Sequence, residues 1–127
     1  MFMGKHQNSI DAKNRMIIPA KFRNELGDRC ILTVGKSKCL YIYSVSEWEK
    51  ITKDLSVHPT SDESSIKLVR HYFSNANECE IDRQGRIVIP QDLRDYAGIE
   101  KDLVTNGLSN IIEVWNKTEF AKIENGV

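Results

Sequence analysis

A fourteen-residue segment is written twice in this chain. "IDRQGRIVIPQDLR", from Ile81 to Arg94, aligns without a gap on "IDAKNRMIIPAKFR", from Ile10 to Arg23. Asp11 matches Asp82, Arg15 matches Arg86, Pro19 matches Pro90 and Arg23 matches Arg94, all at an offset of 71 that Gly27 and Gly98 keep. Further on the offset becomes 72: Gly35 meets Gly107, Tyr43 meets Trp115, Trp48 meets Phe120. Two copies are too few for a solenoid, which needs at least about three stacked units. The pattern is an internal duplication of one small unit. A unit of about 50 residues rarely builds a sufficient core alone. Each copy must therefore be held by the other copy, or by other subunits.

The first copy reads as β-turn-β-α-β-β-α. "KHQNSI" is polar with weak alternation, which suits an exposed or edge strand. "DAKNR" is a turn. Asn14 tolerates positive φ, and Gly85 fills the same slot in "DRQGR" at no steric cost. "MIIP" and "IVIP" are short apolar β runs. Pro19 and Pro90 fit the first turn of the helices "AKFRNEL" and "QDLRDYA"; Gly27 and Gly98 end them. Strand pairs follow, "CILTVG" with "LYIYS" and "LVTNG" with "IIEVW", joined by turn-like "KSKC" and "LSN". "SVSEWEKITKDL" begins a helix, with Ser46 and Glu49 as a capping-box pattern. "NKTEFAKI" begins its counterpart, with Thr118 or Asn116 as cap. Between the copies, "HPTSDESS" is a loop and "SIKLVRHYFSNA" has helical spacing leading into the strand "ECEI". The resulting division is repeat 1 over 5–47, a helical linker over 48–75, repeat 2 over 76–119 and a C-terminal tail over 120–127.

Cys30, Cys39 and Cys79 are odd in number, with no CxxC and no metal-ligand spacing. They read as free, buried thiols in a reducing compartment. "MFMGKHQNSI" lacks the apolar core of a secretory leader, and no run approaches the roughly 20 apolar residues of a membrane helix. The expectation is a cytoplasmic protein with no membrane partner. Eighteen basic and eighteen acidic side chains cancel, so global charge announces no partner. Its distribution says more: residues 5–23 carry a net +4 and residues 81–94 a net +1. Compensating acid lies elsewhere, at Glu47, Glu49, Asp54, Asp62 and Glu63.

The strand, "DxxGR" turn, apolar-Ile-Pro and short helix together resemble the swapped-hairpin DNA-binding domains of the AbrB/SpoVT type. Two such copies, the opening "MFMG", both turns and the "SNANECEID" entry into the second copy resemble the MraZ family of transcriptional regulators. Asn14 departs from the stricter glycine. The resemblance implies a mixed α+β, β-rich fold: a duplicated swapped-hairpin β-barrel with short flanking helices and a pseudo-two-fold axis within one chain. In single-copy relatives two chains make one such domain, so the duplication turns a concentration-dependent association into an intramolecular one. The resemblance also implies a homo-oligomeric ring, an octamer or larger. It implies nucleoid-associated binding to tandem short boxes in double-stranded promoter DNA. The expected outcome is regulation, as a repressor, of the bacterial division and cell-wall gene cluster, the chain's own promoter included.

Arg15 and Arg86 each follow a turn by one residue. A guanidinium binds phosphate bidentately and pairs with guanine O6 and N7. Lys13, Arg83 and Gln84 flank them, two point charges for the backbone and one amide for a base edge. Asp11 and Asp82 stand four residues before each arginine, to orient it or to hold the turn. The same Asp and Arg can form a structural ion pair and nothing else; both roles are compatible. Arg23 and Arg94 are expected to pair locally with acids such as Asp92 or Asp95. His6, His58 and His71 are scattered, with no HExxH, GxSxG or P-loop, and Asp11 and Asp82 stand beside cations that keep them ionised. No enzyme, cofactor, metal or small-molecule substrate is expected. His6 reads as a strand surface residue. Trp48, Trp115 and Phe120 read as core or subunit interface; with Tyr72 and Phe73, some are expected to face neighbouring subunits. The rival reading is a ring-forming scaffold or an antitoxin-like partner protein.

Overall fold

The computed structural model describes residues 1–126. Its elements run β1 (Phe2–Ser9), β2 (Arg15–Ile17), α1 (Ala20–Leu26), β3 (Arg29–Val34), β4 (Leu40–Ser44), α2 (Val45–Thr52) and α3 (Glu63–Ser74). They continue with β5 (Asn77–Glu80), β6 (Arg86–Val88), α4 (Gln91–Ala97), β7 (Asp102–Ser109), β8 (Ile111–Asn116) and α5 (Lys117–Asn125). The β-β-α-β-β-α unit occurs twice, with α3 between the copies. Residues 120–125, read as tail, belong to α5.

The first strand of each copy is paired by the third strand of the other. β1 runs antiparallel to β7, from Phe2 opposite Ser109 to Ser9 opposite Asp102. β5 runs antiparallel to β3, with Cys79 opposite Cys30. The sheet order β1-β7-β8-β4-β3-β5 is symmetric about the β8–β4 junction. β2 and β6, also one from each copy, pair with each other as a two-stranded ribbon. The swapped-hairpin arrangement is therefore present within one chain. The six-stranded sheet is open at β1 and β5, as the weak alternation of "KHQNSI" predicts for β1. The ribbon closes the barrel over its inner face.

One core holds this together. Met16, Ile18, Ile87 and Ile89 from around the ribbon pack with Leu32, Leu40, Ile42, Leu103, Ile112 and Val114 from the sheet. Phe22, Leu26, Leu93 and Ala97 add the inner faces of α1 and α4. Those helices have seven residues each, shorter than the roughly 12 an isolated helix needs. Burial at i and i+4 is what stabilises them. Trp115 and Phe120 form one satellite cluster with Cys39 and Val104; Trp48 forms another with Ile31 and Tyr43. These aromatics are thus used within the chain. Of the five expected to include neighbour-facing groups, Phe73 is the exposed one, at 44%.

Several local expectations shift by a residue or more. Pro19 and Pro90 are helix caps rather than first-turn residues: φ is −50° and −59°, but ψ stays extended at 135° and 154°. The α2 cap is Ser44, whose Oγ accepts from the Glu47 amide at 3.1 Å, not Ser46. Strand pairing runs up to Ser44 opposite Cys30, so the helix starts at once. At α5 the cap is Asn116. β7 extends through Ser109, so most of "LSN" is strand. The counterpart of Gly107, which pairs with Ile112, is Val34, which pairs with Leu40, and not Gly35. Gly107 is required by a close approach: a Cβ there would lie 2.5 Å from the Met3 nitrogen and 2.6 Å from the Phe2 carbonyl carbon. Val34 meets no such neighbour, because β5 stops at Asn77 opposite Leu32. Cys30 and Cys39 are buried and Cys79 half-buried. His6 is not a plain surface residue. Its ring stacks edge-on to Phe22 at 5.5 Å, and its Nε2 is buried without a hydrogen-bond partner.

Candidate nucleic-acid interface

The two "DxxGR"-like turns are built by the same bonds. Asp11 Oδ1 accepts from the amides of Lys13 and Arg15, both at 2.9 Å, and Oδ2 accepts from Arg15 Nε at 2.8 Å. Asp82 Oδ1 accepts from the amides of Gln84 and Arg86 at 2.9 and 2.8 Å, and Oδ2 from Arg86 Nε at 2.7 Å. The backbone closes each loop, Asp11 N to Arg15 O at 2.9 Å and Asp82 N to Arg86 O at 3.0 Å. Hydrogen bonding, above all from the arginine amide, holds each carboxyl below its ordinary value. Each aspartate is thus an anion that both folds the turn and orients the arginine.

That orientation spends only Nε. The terminal nitrogens of Arg15 and Arg86, the pair that would bind guanine or phosphate bidentately, have no partner among the described residues. The side chains are 25% and 26% exposed. Lys13, Arg83 and Gln84 are exposed at the tips, and their side chains make no hydrogen bond or ion pair among the described residues. The ribbon register sets Arg15 opposite Val88 and Ile17 opposite Arg86. These four share the outward face, since Met16 and Ile87 between them are 0% and 1% exposed. The two arginine Cα atoms are diagonal neighbours, about 7–8 Å apart. Beside them lies a cavity of 480 Å³ lined by Arg15, Arg86, Val88 and the β5 segment. Its far wall is acidic, at Glu78 and Glu80, and Arg29 pairs with both, at 2.7 and 3.6 Å. A polyanion would therefore meet the ribbon from the arginine side.

Each turn also leans on the opposite copy. Gly85 O accepts from Ile18 N at 2.8 Å, and Asn14 O accepts from Ile89 N at 2.9 Å. Arg23 and Arg94 do not pair with Asp92 or Asp95. They donate to the carbonyls of Ile18, at 2.9 Å, and Ile89. Arg23 lies flat against the second turn: a Cβ on Gly85 would sit 2.1 Å from its Cζ. Sequence reading missed this contact between copies; the matched Arg23 and Arg94 were its only trace. Asn14 and Gly85 have φ of 61° and 79°, so both meet the left-handed requirement. Gly85→Ala is expected to cost about 1–3 kcal/mol, from positive φ and displacement of Arg23. Asn14→Gly should stay within about 1 kcal/mol. Denaturant unfolding of the two variants checks this; an unchanged midpoint for Gly85→Ala would refute it.

Among the described residues no group of His, Cys, Asp and Glu is placed to hold a metal. No helix there is long and apolar enough to cross a membrane. The family described as "MraZ protein, putative antitoxin-like" matches residues 1–70 and 72–126. A "Transcriptional regulator MraZ" from Thermoanaerobacter pseudethanolicus is 46% identical over 125 residues, covering 98% of this chain and 87% of that protein. Proteins of the same name from Halothermothrix orenii and Acetivibrio thermocellus are each 48% identical over 120 residues, covering 94% of this chain and 84% of theirs. With the duplicated turn, the swapped strands and a match running nearly end to end, the chain belongs to the MraZ family.

Proposed function

We propose that this protein is a sequence-specific DNA-binding transcriptional regulator, acting as a repressor on the division and cell-wall gene cluster and on its own promoter. One observation carries the reading. Two Asp-turn-Arg units built by the same bonds stand on one face of a two-stranded ribbon, each offering guanidinium nitrogens and polar side chains that have no partner among the described residues. A ribbon of this kind fits the major groove, which is about 12 Å wide. The names of its relatives point the same way. In this reading the protein acts as a closed ring, an octamer or larger, which sets many ribbons side by side over tandem boxes. Apolar surface away from the ribbon supports self-association: Met3, Ile51, Leu68, Phe73, Leu108 and Ile123 are all more than a third exposed.

Selection of bound sequences from random duplex DNA tests the function directly. One short box should be enriched. The logarithm of its binding constant should fall linearly with log salt, with a slope of about −0.9 per phosphate neutralised. A protein scaffold would enrich no box and retain no duplex at any salt. That outcome would overturn the proposal.

A further inference from the structure

Ile17 and Val88 stand on the outward face of the ribbon, 46% and 55% exposed. Both belong to β strands whose inward residues, Met16 and Ile87, are fully used in the core. Strand alternation therefore cannot turn them inward. Each is the direct cross-strand partner of the other copy's arginine: Ile17 of Arg86, and Val88 of Arg15. Side chains so paired have Cβ atoms about 5 Å apart. The outward face is thus a compact quartet, two guanidinium groups with two β-branched apolar groups between and beside them. β-Branching fixes χ1, so the apolar pair is held ready rather than mobile.

An occupant of this face has to match both chemistries at that spacing. It needs acceptors for two planar cations and, one residue away, small apolar bumps. The major groove supplies both: guanine presents O6 and N7, and thymine presents its C5 methyl. The four surrounding cations, Arg15, Arg86, Lys13 and Arg83, disfavour a purely apolar protein partner there. We propose that Ile17 and Val88 are specificity-determining residues that read thymine methyl groups at base pairs adjoining those bound by Arg15 and Arg86. This rests on the DNA-binding reading above and adds a readout that the arginines cannot perform.

The test uses the full chain and a selected operator duplex. Each thymine of the box is replaced in turn by deoxyuridine, which removes the methyl and leaves base pairing unchanged. Wild-type affinity should fall about fourfold at one or two positions, the worth of one buried methyl-sized group. The Ile17→Ala, Val88→Ala double variant should bind the thymine duplex more weakly and lose nothing further on deoxyuridine substitution. Its thermal midpoint and its mass by light scattering should equal the wild type's. Duplex binding that is blind to every thymine methyl, an operator without thymine at any constrained position, or dissociation of the double variant into smaller species would each overturn the inference. The first two leave the DNA-binding reading standing; failure to bind any duplex removes both.

Discussion

Arg15→Ala and Arg86→Ala are each expected to lose specific duplex binding while keeping the fold. A bidentate arginine–guanine contact is worth about 1–3 kcal/mol, and the loss recurs in every subunit engaged. An assembly using several ribbons should therefore fall to non-specific affinity. Stability should move far less. The ion pairs with Asp11 and Asp82 have side chains 25–38% exposed, and such surface pairs contribute about 0–1 kcal/mol. The turns also survive truncation of the arginines, because the aspartate bonds to the amides of residues 13, 15, 84 and 86 do not need the guanidinium. Both turns are built alike, so the two variants should be comparable. Gel-shift titration beside thermal melting separates the effects. Wild-type affinity in both variants would refute the assignment of these arginines, whereas lost binding with lost folding would show that the ion pair is structural.

Box spacing should matter as much as box sequence. A near-neutral chain offers one ribbon with few cations, so one ribbon on one box should bind weakly. Once a first ribbon is seated, a neighbouring subunit of a ring meets the next box at high effective concentration, adding about 10² to 10⁴ in avidity. Several ribbons can enter one face of the duplex only if boxes recur at about 10 base pairs. Inserting five base pairs between two boxes moves the second to the opposite face and should remove most of that gain. Inserting ten should restore part of it. Equal titration curves on all three duplexes would show that the boxes are read singly.

How much of this was legible in the sequence differs from place to place. The turn chemistry was: Asp11, Asn14 and Arg15 repeat as Asp82, Gly85 and Arg86, and a left-handed position filled by asparagine in one copy and glycine in the other is a backbone requirement written in residue types. The C-terminal ends of α1 and α4 were legible for the same reason, at Gly27 and Gly98. Register was not. The loop from α4 to β7 is longer than the one from α1 to β3, and the following hairpin is shorter. Matching Gly35 to Gly107 thus hides a slip that only the pairing of Val34 with Leu40 and Gly107 with Ile112 reveals. The cap of α2 was ambiguous in principle, since "SVSEWE" holds two overlapping S-x-x-E patterns. Where β4 runs out of partner residues decides between them. The exchange of strands between copies followed from family resemblance and from no periodicity. Neither did any local pattern show that Arg23 would cover Gly85: the two are far apart in the chain, and what holds Arg23 is the Ile18 carbonyl, not an acid.

The pairing of β1 with β7 also sets when this molecule can fold. β1 leaves the ribosome before its partner strand, which spans Asp102–Ser109, so the wait covers about 100 residues. At about 5–20 residues per second, it lasts roughly 5–20 seconds. For much of that interval, until Glu80 is made, β3 likewise lacks β5, and Phe2, Phe22 and Leu32, all buried at the end, have no finished core to enter. Long-range antiparallel pairing of this kind is slow even in the complete chain, with loop closure preceding any reward from contacts. The nascent first copy is therefore a half-built barrel with an open strand edge. On a crowded polysome the nearest match for that edge, until its own β7 is made, is the same strand on the next ribosome.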